Sequence, residues 1–279
     1  MKIVDYGNDR TTVPPTPSGL PTDRAIRYII VPDAVYDATY ATSSWSKWKD
    51  YLIKYSDYLS IVEKREYQLY NKLIVSPEMK GVLDTAYPLK NGGYVKVELT
   101  YKYLNRENSC NGMYYGYNGR FHFSQGEGKA HWGLGNSYGY SDNDMVIGDK
   151  CKYVYDNSVT PATIHYEDSN NDYNTTTSRV NFTYTDDSHT LLIFARRRYS
   201  DGKPQNKPTN AEFYEFKMWD NGVLVRHLLP CKLLNNIPSS MVTTGVAKNA
   251  GECGAWDMVT NRFHPNILSS GGFTVSNDE

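Results

Sequence analysis

The stretch from Phe216 to Lys232, FKMWDNGVLVRHLLPCK, has the pattern of a β-hairpin and carries no obvious catalytic group. Apolar and polar residues alternate on both sides of Asp220-Asn221-Gly222, which is a turn sequence. Alternation places one set of side chains on a common face of the first strand: Tyr214, Phe216 and Met218. It places a second set on a common face of the second strand: Val223, Val225, His227 and Leu229. Arg226 should face away, and Pro230 should end the pairing because proline has no N–H group. The stretch therefore predicts sheet structure and not a reaction centre.

The same alternation recurs along most of the chain after residue 83. In GGYVKVELTYKYL one set of residues points to one face: Val95, Val97, Leu99 and Tyr101. Asn118-Gly119 and Asp186-Asp187 are turn signals between further alternating runs. The chain has 25 tyrosines, 21 glycines and 13 prolines among its 279 residues, a composition that favours strands joined by many turns. Residues 83–275 are therefore expected to form a two-sheet β-sandwich.

Charge and hydropathy exclude several partner classes. The 30 Lys and Arg residues nearly balance 31 Asp and Glu residues, so neither nucleic acid nor an anionic membrane is an expected partner. No apolar run approaches the roughly 20 residues of a membrane helix. The start, MKIVDYGNDR, lacks the apolar core of a signal peptide, so export by the general secretion route is not expected. The four cysteines have no CxxC spacing and are expected to be free thiols.

The first 80 residues differ from the rest. Residues 1–23 contain TTVPPTPSGLP and predict an extended, Pro-rich arm that becomes ordered only where something holds it. Residues 24–80 predict a helical segment, with Ser43 or Ser44 as its cap and Pro77 just beyond its end. Its apolar residues recur three and four apart in a heptad-like seam: Trp45, Trp48, Leu52, Tyr55, Leu59, Val62, Leu69 and Leu73. The seam fits either oligomerisation through a coiled coil or packing within the segment's own domain.

Four segments occur in an order and spacing that resemble concanavalin A-like, laminin-G-like jelly-roll domains. They are LLIFARRR, AEFYEFKMWDNGVLVRHLLPCK, CGAWDMVTNRFHPN and GGFTVSND. The resemblance covers about residues 85–275, and such domains occur in phage structural proteins and in surface proteins of gut bacteria. It implies a mainly β fold, a jelly-roll sandwich of two antiparallel sheets, following the arm and the helical segment. It also implies carbohydrate binding on the concave face or edge loops, sometimes with calcium, and a turn in which Asp257 bonds local backbone N–H groups.

The best candidates for carbohydrate binding are aromatic residues beside glycines. Sugar rings stack on tyrosine and tryptophan, and glycines would let a ligand approach. The set is Tyr115, Tyr117, Trp132, Tyr138 and Tyr140. The alternative is that these aromatic side chains fill the core of the sandwich.

Other chemistry has little support in the sequence. Asp168, Asn170 and Asp172 alternate as at the start of a calcium loop, but the later Gly and Glu ligands are missing, so calcium is a weak candidate and no other cofactor is expected. Gly135–Gly139 fits G-x-S-x-G without the strand-to-helix context of a nucleophile elbow. No carboxylate pair with glycosidase spacing is evident. The chain is therefore not expected to be an enzyme.

These observations favour a structural appendage of a bacteriophage virion, a head or tail fibre or decoration. The protein would be made in the host cytoplasm and displayed on the particle surface. Residues 1–80 would contact other virion proteins and form a homotrimer, and the jelly roll would bind host or mucus glycan. The alternatives are a secreted or surface lectin of a gut bacterium and, third, a jelly-roll glycoside hydrolase.

Overall fold

The structure is a computed structural model, and it describes most of the chain. The described residues are 2–6, 11–16, 26–56, 66–76, 78–89, 94–105, 110–115, 119–126, 128–180, 190–198, 203–205 and 210–278. They form two compact units, Met1–Arg65 and Glu66–Glu279. Each unit has its own hydrophobic core. Among the described residues, no helix is long and apolar enough to cross a membrane.

The N-terminal unit is a small parallel sheet with short helices. Its strands are β1 (Lys2–Asp5), β2 (Ile26–Val31) and β3 (Leu52–Lys54), in the order β1-β2-β3. Between β2 and β3 lie a 3-10 helix (Asp33–Val35), helix α1 (Tyr36–Ala41) and a second 3-10 helix (Ser43–Tyr51). The core consists of Ile29, Val31, Trp45, Trp48 and Leu52. Burial of two tryptophans gives this short segment a core of its own.

Part of the Pro-rich arm is held inside this unit. The Trp45 indole N–H donates to the Pro14 carbonyl at 3.2 Å, and the Tyr6 hydroxyl donates to the Pro15 carbonyl at 2.9 Å. The two aromatic rings meet edge to face, with centroids 6.0 Å apart. Residues 14 and 15 of the predicted arm are therefore held by aromatic side chains of the same unit.

The prediction of one helical segment over residues 24–80 is wrong where the structure describes it. Ser43–Tyr51 is a 3-10 helix, and residues 67–69 and 72–75 are strands. A 3-10 helix has three residues per turn, so Trp45 and Trp48 still share a buried face. Tyr55 is partly buried, whereas Leu59 and Val62 lie outside the described residues. The three-and-four spacing of apolar residues therefore runs through a 3-10 helix and two strands, and not through one helix.

The boundary between the two units lies earlier in the chain than the predicted residue 80. Leu69 and Leu73 lie on strands of the second unit, where Leu73 is fully buried and Leu69 is exposed. The units divide between Arg65 and Glu66, because residues 67–75 pair with the large sheet of the sandwich. The heptad-like seam is therefore split between two units.

The second unit contains nineteen of the described strands. In chain order they are β4 (Tyr67–Leu69), β5 (Lys72–Val75), β6 (Leu83–Pro88), β7 (Val95–Tyr103), β8 (Cys110–Tyr115), β9 (Gly119–Gly126), β10 (Lys129–Gly135), β11 (Ser137–Asp144), β12 (Lys150–Asp156), β13 (Ala162–Asp168), β14 (Asn171–Thr177), β15 (Thr190–Ile193), β16 (Arg196–Arg198), β17 (Pro204–Gln205), β18 (Ala211–Asp220), β19 (Val223–Leu233), β20 (Cys253–Asp257), β21 (Arg262–His264) and β22 (Thr274–Ser276). A 3-10 turn spans Ser239–Met241. The strands form two sheets, and nearly all of the pairings are antiparallel.

The small sheet has the order β11-β10-β9-β8-β15-β6, with β16 and β17 beside β8. The large sheet has the order β14-β13-β12-β7-β18-β19-β20-β21, and β4, β5 and β22 pair along it. One core lies between the sheets: Phe123 of the small sheet meets Tyr155 of the large sheet edge to face, with ring centroids 4.3 Å apart. The expected fold class, a mainly β sandwich of two antiparallel sheets, is confirmed.

The hairpin from Phe216 to Lys232 forms as predicted, but the core-facing side chains of its second strand are not the predicted ones. Asn221 and Gly222 have φ angles of 49° and 81°, which a tight hairpin turn requires. The register shifts between Met218 and Trp219, and such a bulge moves later residues to the other face. Leu228, and not Leu229, is therefore the core residue opposite Phe216.

Pro230 does not end the pairing, contrary to the prediction, because β19 continues to Leu233. The Pro230 carbonyl accepts a hydrogen bond from Tyr70 N, and the N and O atoms of a strand residue point to the same side. The missing N–H therefore lies just beyond the end of β4, where the ladder stops. Proline is tolerated at such an end of a ladder.

Candidate functional site

The hairpin of β10 and β11 builds a cluster of aromatic side chains on the outer face of the small sheet. Its turn lies between Leu134 and Ser137, and Gly135 adopts a positive φ of 58° there. Pairing outward from this turn sets Gly133 opposite Tyr138, and His131 opposite Tyr140. Because side chains alternate along a strand, Trp132 and its neighbours Ala130 and Leu134 face the core.

We call the three outward rings, His131, Tyr138 and Tyr140, the tyrosine patch. The His131 and Tyr140 rings stack almost in parallel, 18° apart, with centroids 4.6 Å apart. Tyr138 stands edge-on to His131 at 6.2 Å. Tyr138 is 59% exposed and Tyr140 36%. The patch therefore presents flat apolar faces and polar hydroxyl groups to solvent on one strand.

Neighbouring strands hold the patch in place. A hydrogen bond of 3.0 Å joins Ser124 Oγ on β9 to His131 Nδ1, and the buried His122 ring lies edge-on to His131 at 4.9 Å. The base of β11 is fixed by a 2.7 Å hydrogen bond from Thr177 Oγ1 to Ser137 Oγ. A site held before binding loses less side-chain entropy when a ligand arrives.

Two of the five predicted carbohydrate-binding residues, Tyr138 and Tyr140, come together here. Trp132 does not: it is 7% exposed, belongs to the core, and donates through Nε1 to the Tyr173 hydroxyl at 3.4 Å. For Trp132 the alternative, filling the core, was right. Tyr115 ends strand β8, and the structure describes its backbone alone, whereas Tyr117 lies outside the described residues.

The glycines near the patch make room for rings of the protein itself. A Cβ atom on Gly139 would lie 2.7 Å from Trp132 Cζ2, and one on Gly133 would lie 2.4 Å from His122 Cε1. Both distances are shorter than a carbon–carbon contact allows. The sequence had suggested that these glycines admit a ligand, but their role is to let Trp132 and His122 pack against the backbone of β11 and β10.

Gly139→Ala should therefore destabilise the second unit by about 1–3 kcal/mol, since the indole of Trp132 must move to accept the methyl group. Urea unfolding measures this. Gly272→Ala is the matched control, because a Cβ atom there meets nothing within 4 Å. Equal stability of the two variants would show that Trp132 does not pack on Gly139.

His131 is the residue of the patch that sequence reasoning missed, because the predicted set contained only tyrosines and a tryptophan. The sequence of the β10–β11 hairpin contains the information that places His131 in the patch. Once Gly135-Asn136 is taken as a two-residue turn, counting outward places His131 opposite Tyr140. Cross-strand pairing, not spacing along the chain, identifies it.

The residues proposed for calcium do not converge on one point. Asp168 accepts hydrogen bonds from Val146 N, Asn170 N and Asn171 Nδ2 at 2.8–3.1 Å, and from the Tyr166 hydroxyl. Burial alone would raise its pKa, but these hydrogen bonds lower it below the ordinary value. Asp172 Oδ1 lies 3.1 Å from His165 Nε2. Within the described parts of the chain, no group of three or more His, Cys, Asp or Glu residues is arranged to hold a metal ion.

No family model and no curated protein matches the chain. Among solved structures, it is similar to the native heptameric SAP-like pentraxin from Limulus polyphemus. The identity is 13% and the TM-score 0.38, and the match covers 55% of this chain and 77% of that one. The fold described above rests on the two sheets and their shared core.

Proposed function

We propose that the sandwich binds carbohydrate through the tyrosine patch. The observation that carries this proposal is the exposure of Tyr138 and Tyr140, held side by side by the stacked His131. The C–H face of a pyranose ring packs on an aromatic ring, while its hydroxyl groups can bond tyrosine O–H and imidazole nitrogen. A flat, exposed patch suits internal residues of a long glycan chain. Binding without turnover is the role we propose for it.

The proposal extends to the setting in which the sandwich acts. We propose a bacteriophage virion appendage in which the N-terminal unit contacts other virion proteins and forms a homotrimer, while the sandwich faces host or mucus glycan. The four segments that resemble jelly-roll domains, which occur in phage structural proteins, support this, and so does a separate N-terminal unit with its own core. The division of the heptad-like seam removes one earlier argument for a trimer. A surface lectin of a gut bacterium is the second candidate.

Mass spectrometry of purified phage particles tests the setting. The chain should occur among the virion proteins, in copy numbers divisible by three. Its absence from particles, together with its presence on the surface of a bacterial cell, would replace the appendage with the lectin. Either result leaves the binding proposal to its own test.

Tyr138→Ala should weaken glycan binding by roughly tenfold, equivalent to about 1.4 kcal/mol, because the stacking face is removed. Tyr138→Phe should keep most of the affinity, since the ring remains. Titration calorimetry with a glycan that the whole chain binds measures both. Tyr40→Ala is the control, because Tyr40 is also an exposed tyrosine, 46% against 59% for Tyr138, and belongs to the N-terminal unit. If Tyr138→Ala and Tyr40→Ala bind alike, Tyr138 does not contact sugar.

A further inference from the structure

The outer face of the large sheet carries a groove whose floor is made by a β-bulge. On β18, Phe213 and Phe216 both face the core, and two residues lie between them instead of an odd number. The register against β7 shifts between Phe213 and Glu215. Tyr214 and Glu215 consequently both line the groove on the outer face. Bulges commonly aim extra side chains at a binding surface.

The groove has two adjacent parts that are lined mainly by polar and charged side chains. Its larger part has a volume of about 720 Å³ and includes Tyr70, Asn71, Thr100, Lys150, Tyr214 and Glu215 in its lining. A second part of about 440 Å³ shares Thr100 and Lys150 with the first and adds Cys151, Lys152, Glu167, Asp168 and Ser169. The two parts lie side by side at these shared residues, and we call them together the polar groove.

Ion pairs within the sheet hold the charged groups that line this groove or lie beside it. Glu215 Oε1 lies 2.8 Å from both Lys217 Nζ and His227 Nε2. Burial would raise the pKa of Glu215, but these partners lower it below its ordinary value, so the carboxylate stays ionised at neutral pH. Beside it, Glu212 pairs with Lys72 at 3.1 Å and Lys102 at 3.6 Å. These carboxylates act as fixed hydrogen-bond acceptors, already neutralised by their neighbours.

Hydrogen-bond donors also line the groove. Lys150 Nζ lies 4.1 Å from the centroid of the Tyr214 ring, which keeps an ammonium group over an aromatic face at the point where the two parts join. Thr100 and Ser169 add hydroxyl groups, and Asn71 adds an amide. Donors and acceptors both line the groove, and Asp278 of the first part and Asp168 of the second add two further carboxylates to its wall. That arrangement suits a ligand whose hydroxyl groups both donate and accept.

We propose that the polar groove is a second binding site, which takes an uncharged, polyhydroxylated chain several sugar units long. The tyrosine patch lies on the outer face of the small sheet and the polar groove on the outer face of the large sheet. The two sites therefore face opposite directions on one sandwich. One chain can hold two glycan strands and cross-link them. The groove stands on its own geometry, whereas this bivalence rests also on the proposed function of the patch.

The test is the binding stoichiometry of the full chain, measured by calorimetry with cellohexaose, maltoheptaose and chitohexaose as separate probes. The groove variant is Lys150→Met with Glu215→Gln, and the patch variant is Tyr138→Ala with Tyr140→Ala. Lys47→Met is the control, since Lys47 is also an exposed lysine over an aromatic ring, 5.1 Å from that of Trp48. Circular dichroism confirms that each variant is folded.

At least one probe should bind at two sites per chain, at one site in either variant, and at none when both are combined. Lys47→Met should leave both sites intact. One site lost only in the groove variant would support the groove and contradict the patch. One site lost only in the patch variant, no binding of any probe, or unchanged binding in the groove variant would overturn the groove proposal. The first of these three outcomes would leave the proposed function standing.

Discussion

Asp257→Ala should destabilise the second unit by about 3–5 kcal/mol, the largest effect expected of any polar substitution in this chain. Asp257 is fully buried, and Oδ1 accepts from His227 N at 3.1 Å and Val259 N at 3.0 Å. Oδ2 accepts from Thr260 Oγ1 at 2.7 Å and lies 3.6 Å from Arg226 Nε. Alanine leaves these three donors without their acceptor, and it removes the counter-charge of the largely buried Arg226 guanidinium, which still donates to the Thr85 and Ala86 carbonyls. Urea unfolding measures the loss.

Asp278→Ala is the control for this prediction, because Asp278 is exposed near the end of the chain and should change stability by less than about 0.5 kcal/mol. Asp257→Asn should lie between the two, since the amide keeps one acceptor oxygen and loses the charge. If Asp257→Ala were as stable as Asp278→Ala, the carboxylate would not hold the β20–β21 turn to β19.

Asp257 should also make the stability of the second unit depend on pH in the acid range. Burial would raise its pKa, but the nearby His264 side chain and hydrogen bonds from Thr260 and the backbone N–H groups lower it from 3.8 to about 2. A carboxyl group with a lowered folded-state pKa contributes its stability above the ordinary value and loses it as pH falls through the folded value. Roughly 2 kcal/mol should therefore disappear between pH 4 and pH 2. Asp257→Ala should lack this part of the pH dependence.

Phe123→Ala should cost about 3–5 kcal/mol, because the ring fills the space between the two sheets. Phe123 is 1% exposed and meets Tyr155 at 4.3 Å, Tyr153 at 5.1 Å and Phe121 at 6.1 Å, all edge to face. Close-packed aromatic neighbours cannot collapse into the cavity that alanine leaves. Urea unfolding of purified protein measures the change.

Phe123→Leu is the graded companion to this variant and should cost less, because leucine fills part of the cavity. Val159→Ala, on an exposed side chain, should have little effect. A Phe123→Ala protein no less stable than Val159→Ala would mean that the two sheets do not share this core.

The sequence predicted those features that depend on residues close together in the chain. The inward alternation from Val95 to Tyr101 on β7, the Asn221-Gly222 turn and the role of Asp257 in its own turn all follow from neighbouring residues. Outcomes that depend on register were not predictable in this way. The bulge at Val225 on β19 turned the predicted face of β19 over, and tertiary pairing made Lys72–Val75 a strand although its spacing matched a helix.

The candidate site was likewise predictable from the sequence only in part. Tyr138 and Tyr140 could be named from the sequence because they alternate beside glycines, but Trp132 has the same local context and faces the core. Only the pairing of β10 with β11 separates them. The polar groove was missed altogether, because its lining comes from strands far apart in the chain.

Sugar binding by the tyrosine patch can be measured by applying the whole chain to a panel of immobilised neutral bacterial and mucin glycans. The Tyr138→Ala/Tyr140→Ala double variant is measured in parallel, with circular dichroism to confirm its fold. We expect the unchanged chain to bind at least one glycan, with at least a tenfold loss in the double variant. Binding of equal strength by both proteins, or no binding by the unchanged chain to any glycan of the panel, would contradict the proposed role of the patch.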